Sequence, residues 1–329
     1  MSTRQTLVTD GLLLATAAIW GFAFAAQRAG MSYVGPFTYN AIRFSLGALS
    51  LVPLLILIRK RARKVRLQGE LPENTEPDGS LRLDANQRRM KSVWKTLLPG
   101  VAAGVVLFAG SSLQQVGIVY TTAGKAGFIT GLYVVIVPIL GTFLGRMTDR
   151  GRWAGALLAA AGMYFLSVTE TFTIERGDFL VFLCAFMFAG HVLLLSVISP
   201  RMEPVTLSVI QYGTTAILSA VVALFTEAAA LSSVLAAWLP IVYGGIFSVG
   251  IAYSLQVVAQ KTAHPAHAAI ILSLEGAFAA LGGFLVLGEL LTPRDILGCV
   301  LMLSGMVAAQ AGTIRASMRE RRKGRLTTT

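Results

Sequence analysis

The sequence predicts an all-α membrane protein with ten transmembrane helices arranged as two inverted five-helix repeats. Three observations predict it. Apolar runs recur along nearly the whole chain, each long enough to cross a hydrocarbon core that takes roughly 20 helical residues. Of the 329 residues 55% are hydrophobic and 13% charged, against about 25% charged in soluble domains, and mean hydropathy is +0.69. The second half of the chain repeats the hydropathy of the first. A β-barrel does not fit, because its strands would alternate apolar and polar at every second residue.

The spans are expected near 10–29, 36–58, 97–119, 124–144, 153–170, 178–198, 205–226, 238–259, 266–288 and 296–314. The first follows "MSTRQTLVTD", which lacks the basic start, short apolar core and cleavage site of a secretory signal, so it reads as a retained helix. The second ends in a long connection, 59–96, with eleven basic residues plus Gly69, Pro72, Pro77 and Gly79, expected to be flexible. The third, fifth and eighth begin beside Trp94, Trp153 and Trp238, as an interfacial aromatic belt requires. The fourth and fifth are joined by the basic stretch "GRMTDRGR". The ninth follows "HPAH" at 264–267, where Pro265 suits a helix start and two histidines lack the further ligands a metal needs. The tenth runs into a basic tail, 315–329. Cys184 and Cys299 lie in apolar segments without CxxC spacing and read as packing residues.

Charge orients these spans. An even number puts both termini on one side, and 23 of the 28 basic residues then fall on that side. The positive-inside rule makes it the cytoplasm of a cell bearing this multi-pass protein in its cytoplasmic membrane. The net charge of +12 follows from topology, not from nucleic-acid binding. Anionic lipid headgroups are the expected partners of the basic loops.

Laid over each other, the halves place Pro36 on Pro204, Arg43 on Gln211, Phe44 on Tyr212 and Leu113-Gln114 on Leu255-Gln256. Leu132-Tyr133 falls on Leu274-Glu275, Gly155 on Gly298 and Gly162 on Gly305. The first unit covers 1–58 and 97–170, the second 171–314. Five spans are an odd number, so the second unit crosses in the opposite sense. That is the inverted repeat of secondary transporters, whose site lies near the midplane between halves.

The residues resemble the EamA-type ten-helix branch of the drug/metabolite transporter superfamily over nearly the whole chain except 59–96 and the tail. The carriers are "AIWGFAF", "GPFTYNAIRF", "GLYVVIVPIL", "LSLEGAFAALGG" and "LGELLTPRDILGCVLMLSGM". The resemblance implies a secondary transporter of a small polar or amphipathic metabolite, often an amino acid, working as an exporter through a central cavity between helices. Gly276 stands where many relatives have proline, so the ninth helix is expected to be straighter here.

The candidate substrate-binding residues are Trp20, Arg43, Gln114, Thr130, Tyr133, His191, Gln256 and Glu275. Glu275 is the acid set well inside a span, where a charge costs about 2.5–3.5 kcal/mol. Such a group faces a cavity, pairs with a cation or carries a proton. It is set to bind a substrate ammonium or a coupling proton, or to act as a hydrogen-bonded strut. Arg43 either snorkels to the interface or pairs with a carboxylate, from Glu275 or from substrate. His191 is a proton relay or a histidine satisfied across a helix interface. Trp20 presents an aromatic face to a ligand cation or simply packs. Thr130 and Tyr133 share one face of the fourth helix. Gln114, Gln115 and Gln256 read first as interhelical glue, at about 0.6 kcal/mol per bond. Glu289, near the interface, reads as structural.

No GxxxxGK[ST] loop is present, so ATP-driven pumping by this chain is not expected. Neither a cofactor nor a metal is implied. An intramembrane enzyme would need a convergent set such as HExxH, paired aspartates or GxSxG, which the sequence lacks. A passive channel would take its symmetry from an oligomer, whereas this chain carries its own.

Overall fold

The structure is a computed structural model and describes residues 3–67, 85–143, 150–167, 174–198, 202–260 and 271–308. Among these every element is a helix. In chain order they are α1 (Thr3–Gly30), α2 (Pro36–Leu67), α3 (Ala85–Gly117), α4 (Ala123–Gly131), α5 (Tyr133–Phe143), α6 (Arg150–Ser167), α7 (Arg176–Ile198), α8 (Pro204–Thr226), α9 (Leu231–Ala236) and α10 (Trp238–Val242). A π-helical segment, Tyr243–Ala252, leads into α11 (Tyr253–Gln260), followed by α12 (Glu275–Leu287) and α13 (293–308).

Among the described residues, six segments are long and apolar enough to cross a membrane: Leu7–Gly30, Pro36–Ile58, Thr96–Gly117, Arg176–Leu195, Pro204–Thr226 and Trp238–Gln256. Ala123–Val137, Trp153–Leu166 and Glu275–Leu287 are shorter apolar helices. Large apolar side chains cover the outside: Phe225 is 87% exposed and Leu224 81%. Lipid, not water, is the solvent that suits such a surface. Trp153 and Trp238 are also largely exposed, as belt residues are.

Two expected outlines change. The connection 59–96 is helical at both ends, because α2 continues to Leu67 and α3 begins at Ala85. Stretches such as "RKRARKVRL" consist of good helix formers, and helix propensity persists beyond the apolar span. The ninth span is not straight. Residues 271–272 are helical, 273–274 form a turn, and α12 restarts at Glu275. There Leu274 N donates to Ile271 O (3.1 Å) and Gly276 N to Ser273 O (3.4 Å), the tighter i→i+3 pattern of a local 3₁₀ turn. Lacking proline at Gly276 did not keep this helix continuous. Residues 144–149, 264–267 and 315–329, which hold much of "GRMTDRGR", all of "HPAH" and the tail, lie outside the described residues.

The packing is symmetric under exchange of the two halves. The mates α2 and α8 pack together, as do α4 and α12. α1 on α12 mirrors α7 on α4 and α5. α3 on α7 mirrors the π segment and α11 on α1, and α3 on α8 mirrors the π segment on α2. Directions follow from neighbouring residues. Gly124 meets Ala280 while Gly127 meets Gly276, so α4 and α12 run antiparallel. Gly21 meets Phe278 while Phe22 and Ala25 meet Gly282, so α1 and α12 run parallel. The mates α4 and α12 thus cross in opposite senses, as an inverted repeat requires.

Glycines set how close the helices come, since apolar burial gives no net drive between helices in lipid. The glycines that the repeat pairs as Gly155/Gly298 and Gly162/Gly305 meet crosswise where the mates α6 and α13 touch. A Cβ on Gly162 would lie 2.6 Å from Gly298 O, and one on Gly305 2.6 Å from Gly155 O. α12 ends at Gly288, whose φ of 69° turns the backbone left-handed. Glu289 N then donates to Gly283 O at 3.1 Å.

Candidate functional site

The breaks in the fourth and ninth spans are repeat mates. α4 ends at Gly131 and α5 restarts at Tyr133, while the second break restarts at Glu275. Each restart residue faces the interior of the bundle, because interrupted backbone at membrane depth is tolerated only where protein or a cavity surrounds it. Gly21 lets α1 approach the second break: a Cβ there would lie 2.7 Å from Glu275 O.

Around these breaks the side chains fall into linked groups. Gln114 Nε2 donates to Thr130 Oγ1 at 3.2 Å, and Thr130 lies 4.0 Å from Cys184 Sγ. Tyr133 and Cys184 are both within electrostatic reach of Glu275. Glu275 is 4% exposed. It makes no ion pair or hydrogen bond among the described residues. Leaving a carboxylate there without a partner makes it a poor strut.

Arg43, on α2, is also 4% exposed. Its Nε donates to Asn40 Oδ1 at 2.9 Å, and its guanidinium carbon sits 4.8 Å from the Phe44 ring centroid and 5.6 Å from that of Tyr39. Asn40 Nδ2 in turn donates to Ser111 O at 3.1 Å. Ser111 is one turn from Gln114 on α3, which joins this group to the first. Two expectations for Arg43 fail: it does not snorkel, and it does not pair with Glu275. Asn40, one turn before it, holds Nε, and the aromatic faces of Tyr39 and Phe44 hold the cation beside α2.

His191 Nε2 donates to Gln211 Oε1 at 2.9 Å, so the histidine is satisfied across the α7–α8 interface. Gln211 is fully buried, and its Nε2 has no hydrogen-bond partner among the described residues. Phe44, Tyr212 and Tyr253 form a ring train, with centroids 5.9 and 5.7 Å apart, that connects Arg43 to this group. Trp20 is half-buried and its Nε1 donates to Ser248 O at 3.0 Å, inside the π segment. That hydrogen bond fixes the indole between α1 and the eighth span. Gln256 is half-buried.

The structure thus gathers Gln114, Thr130, Tyr133 and Glu275 into one group, and Arg43 and His191 into a second that meets it through α3. Sequence reasoning passed over Asn40 and Tyr253 and read Cys184 as a packing residue only. Asn40 was findable, since i, i+3 neighbours on a helix face touch and a buried arginine needs such a partner. The other two carry no local signal. The π segment had one in Gly244, Gly245 and Gly250. A Cβ on Gly244 would come 2.7 Å from Tyr39 Oη, and one on Gly245 2.7 Å from Leu46 Cβ. π segments recur at functional sites. Gln115, read as glue, donates to Gln27 O (3.4 Å) and Met31 Sδ (3.3 Å). Both cysteines are buried and unbridged. Among the described residues no cluster of His, Cys, Asp and Glu is arranged to hold a metal.

Glu289 is structural. Its carboxylate accepts from Ala123 N at 2.9 and 3.1 Å, neutralising the free N–H at the start of α4. Glu227 does the same for α2, accepting from Phe37 N (2.9 Å) and Thr38 N (2.8 Å).

A helical membrane protein with two inversely related halves, broken helices and buried polar groups between them has the build of a secondary transporter. The chain belongs to the EamA-like transporter family, which matches residues 7–168 and again 175–309. It is 31% identical over 304 residues to an uncharacterized transporter of Archaeoglobus fulgidus, covering 92% of this chain and 86% of that one. In fold it is similar to a crystal structure titled only as a protein, with a TM-score of 0.60 and 20% identity, over 96% of this chain and 99% of the other.

Proposed function

We propose that this transporter exports a small polar or amphipathic metabolite, an amino acid or related compound, across the cytoplasmic membrane by alternating access and without altering it chemically. Ten crossings are expected, in units 1–58 with 97–170 and 171–314, with both termini, the connection 59–96 and the tail 315–329 in the cytoplasm. The basic loops lie against anionic headgroups there. One unit rocks against the other about the polar layer between them.

The observation that carries this reading is a pair of buried, unmatched charges of opposite sign. Arg43 belongs to the first unit and Glu275 to the second, and neither has an ion-pair partner among the described residues. A solute bearing a carboxylate and an ammonium group satisfies both at once. Tyr133, Thr130 and Gln114 line the Glu275 side. His191 and Trp20 border the Arg43 side, with Gln256 as an outlying contact. When empty, Glu275 is relieved by taking up a proton, which makes it the group to couple substrate to proton movement.

The test is counterflow in proteoliposomes with labelled amino acids, comparing the parent chain with Glu275→Gln. A charge-assisted hydrogen bond is worth about 1.5–3 kcal/mol, so apparent affinity should fall about 10- to 100-fold. Unchanged affinity, rate and pH dependence would remove Glu275 from the mechanism.

A further inference from the structure

Among the described residues, polar ties between the two halves gather at one end of the bundle, the end holding the starts of α2, α4 and α7 and the finish of α12. Three ion pairs join described side chains there, all made by Lys125 at the start of α4. Its Nζ lies 3.3 Å from Glu175, 3.9 Å from Asp178 and 4.0 Å from Asp295. Lys125 belongs to the first half, and all three acids belong to the second.

The geometry around Lys125 is built rather than incidental. Lys125 is 15% exposed and Asp178 is fully buried at the first turn of α7. Asp178 also accepts from the Thr121 hydroxyl. Arg176 stacks on Tyr120, with its guanidinium carbon 4.9 Å from the ring centroid. A Cβ on Gly177 would come 2.7 Å from Gly117 O, so only glycine lets the α3–α4 connection lie on the start of α7. Asp295 is oriented by Thr292, whose backbone N and hydroxyl donate to its other oxygen at 2.9 and 2.7 Å. Further ties at this end also cross the halves: Glu289 to α4 and Glu227 to α2. At the opposite end the described contacts between halves include the apolar set of Leu13, Ala259 and Leu272.

We propose that Lys125 and the acids Glu175, Asp178 and Asp295 form a charge latch that closes this face of the transporter, and that solute leaves here when the latch parts. The proposal rests on the alternating-access reading and names the residues that would gate it. The latch suits a gate because its parts are ionic and one of them, Glu175, already meets water at 42% exposed. Water re-solvates each charge as the halves separate, so opening costs little compared with parting an apolar seam.

The experiment uses the full chain in lipid nanodiscs. Nitroxides are placed at Tyr33→Cys on the first half and Leu290→Cys on the second, positions 50% and 78% exposed at the latched end. A chain without these two changes controls for Cys184 and Cys299. Pulsed dipolar distances are compared for the parent, Lys125→Arg, Lys125→Met and Asp295→Asn. Loss of the latch charge should raise the separated population about fivefold, while Lys125→Arg should leave it near the parent's. A parent-like distribution in a folded Lys125→Met chain overturns the latch. If that variant does not fold, Asp295→Asn, which keeps the side chain's shape, decides alone. Counterflow of labelled amino acids in matched vesicles reads transport separately. Widened distances without flux keep the latch and remove the transport reading, and flux with unmoved distances does the reverse.

Discussion

Replacing Gly162 by alanine tests the inter-repeat seam without any knowledge of substrate. The new Cβ would lie 2.6 Å from Gly298 O and 2.6 Å from Met302 N, both backbone atoms that cannot rotate away. Ordinary contact begins near 3.4 Å, so α6 and α13 must part by roughly 0.8 Å. Overpacking of this kind costs about 1–3 kcal/mol. Alanine's better helix propensity returns about 1 kcal/mol. Gly213, in α8, supplies the control, because a Cβ there meets nothing within 4 Å. Gly213→Ala therefore receives the propensity gain alone. The two variants should differ by the overpacking cost itself, about 1–3 kcal/mol, with Gly162→Ala the less stable. Gly298→Ala should behave like Gly162→Ala, and the double variant should lose less than the sum, since both side chains press on one crossing. The assay is reversible denaturation, or thermal unfolding in one detergent, of the purified proteins. Equal stability of Gly162→Ala and Gly213→Ala would refute the close approach and the mate-to-mate seam with it.

Two further outcomes follow from the polar groups. Glu227→Ala strips the cap from Phe37 N and Thr38 N, so it should cost about 1–2 kcal/mol in the same unfolding assay. No loss would mean the carboxylate is not holding α2. Asn40→Asp keeps the shape beside Arg43 but supplies an anion 2.9 Å from its Nε. If Arg43 serves a substrate carboxylate, this internal rival should raise apparent KM about tenfold or more while thermal stability holds or rises. Unchanged KM with raised stability would reduce Arg43 to a structural cation.

The helices were legible because lipid imposes a simple rule: each crossing needs a long apolar run with its backbone satisfied internally. The repeat was legible for a related reason. Small residues are fixed where helices touch, so the Gly155/Gly298 and Gly162/Gly305 correspondence survives in the letters. The ends of helices were less legible. Hydropathy reports where lipid stops, not where the helix stops, which is why α2 and α3 outrun their spans.

The site divides along the same line. Glu275, Arg43 and His191 stand out because an ionisable residue is rare at membrane depth. Their partners do not, since pairing is a property of two helices rather than one. Asn40 shares a turn with Arg43 and was within reach of a local argument. Gln211 receiving His191, and Cys184 beside Thr130, bring together residues 20 and 54 positions apart. The correspondence of Tyr133 with Glu275 is the instructive case. Aligned as letters it is a tyrosine over an acid, with no chemistry in common. In the fold both open a helix just after a break, so what the repeat preserves is the interrupted backbone, and the side chain at the restart is free to differ. One half then presents a phenol and the other a carboxyl from equivalent places, so an internally symmetric bundle carries chemically different groups at its two breaks.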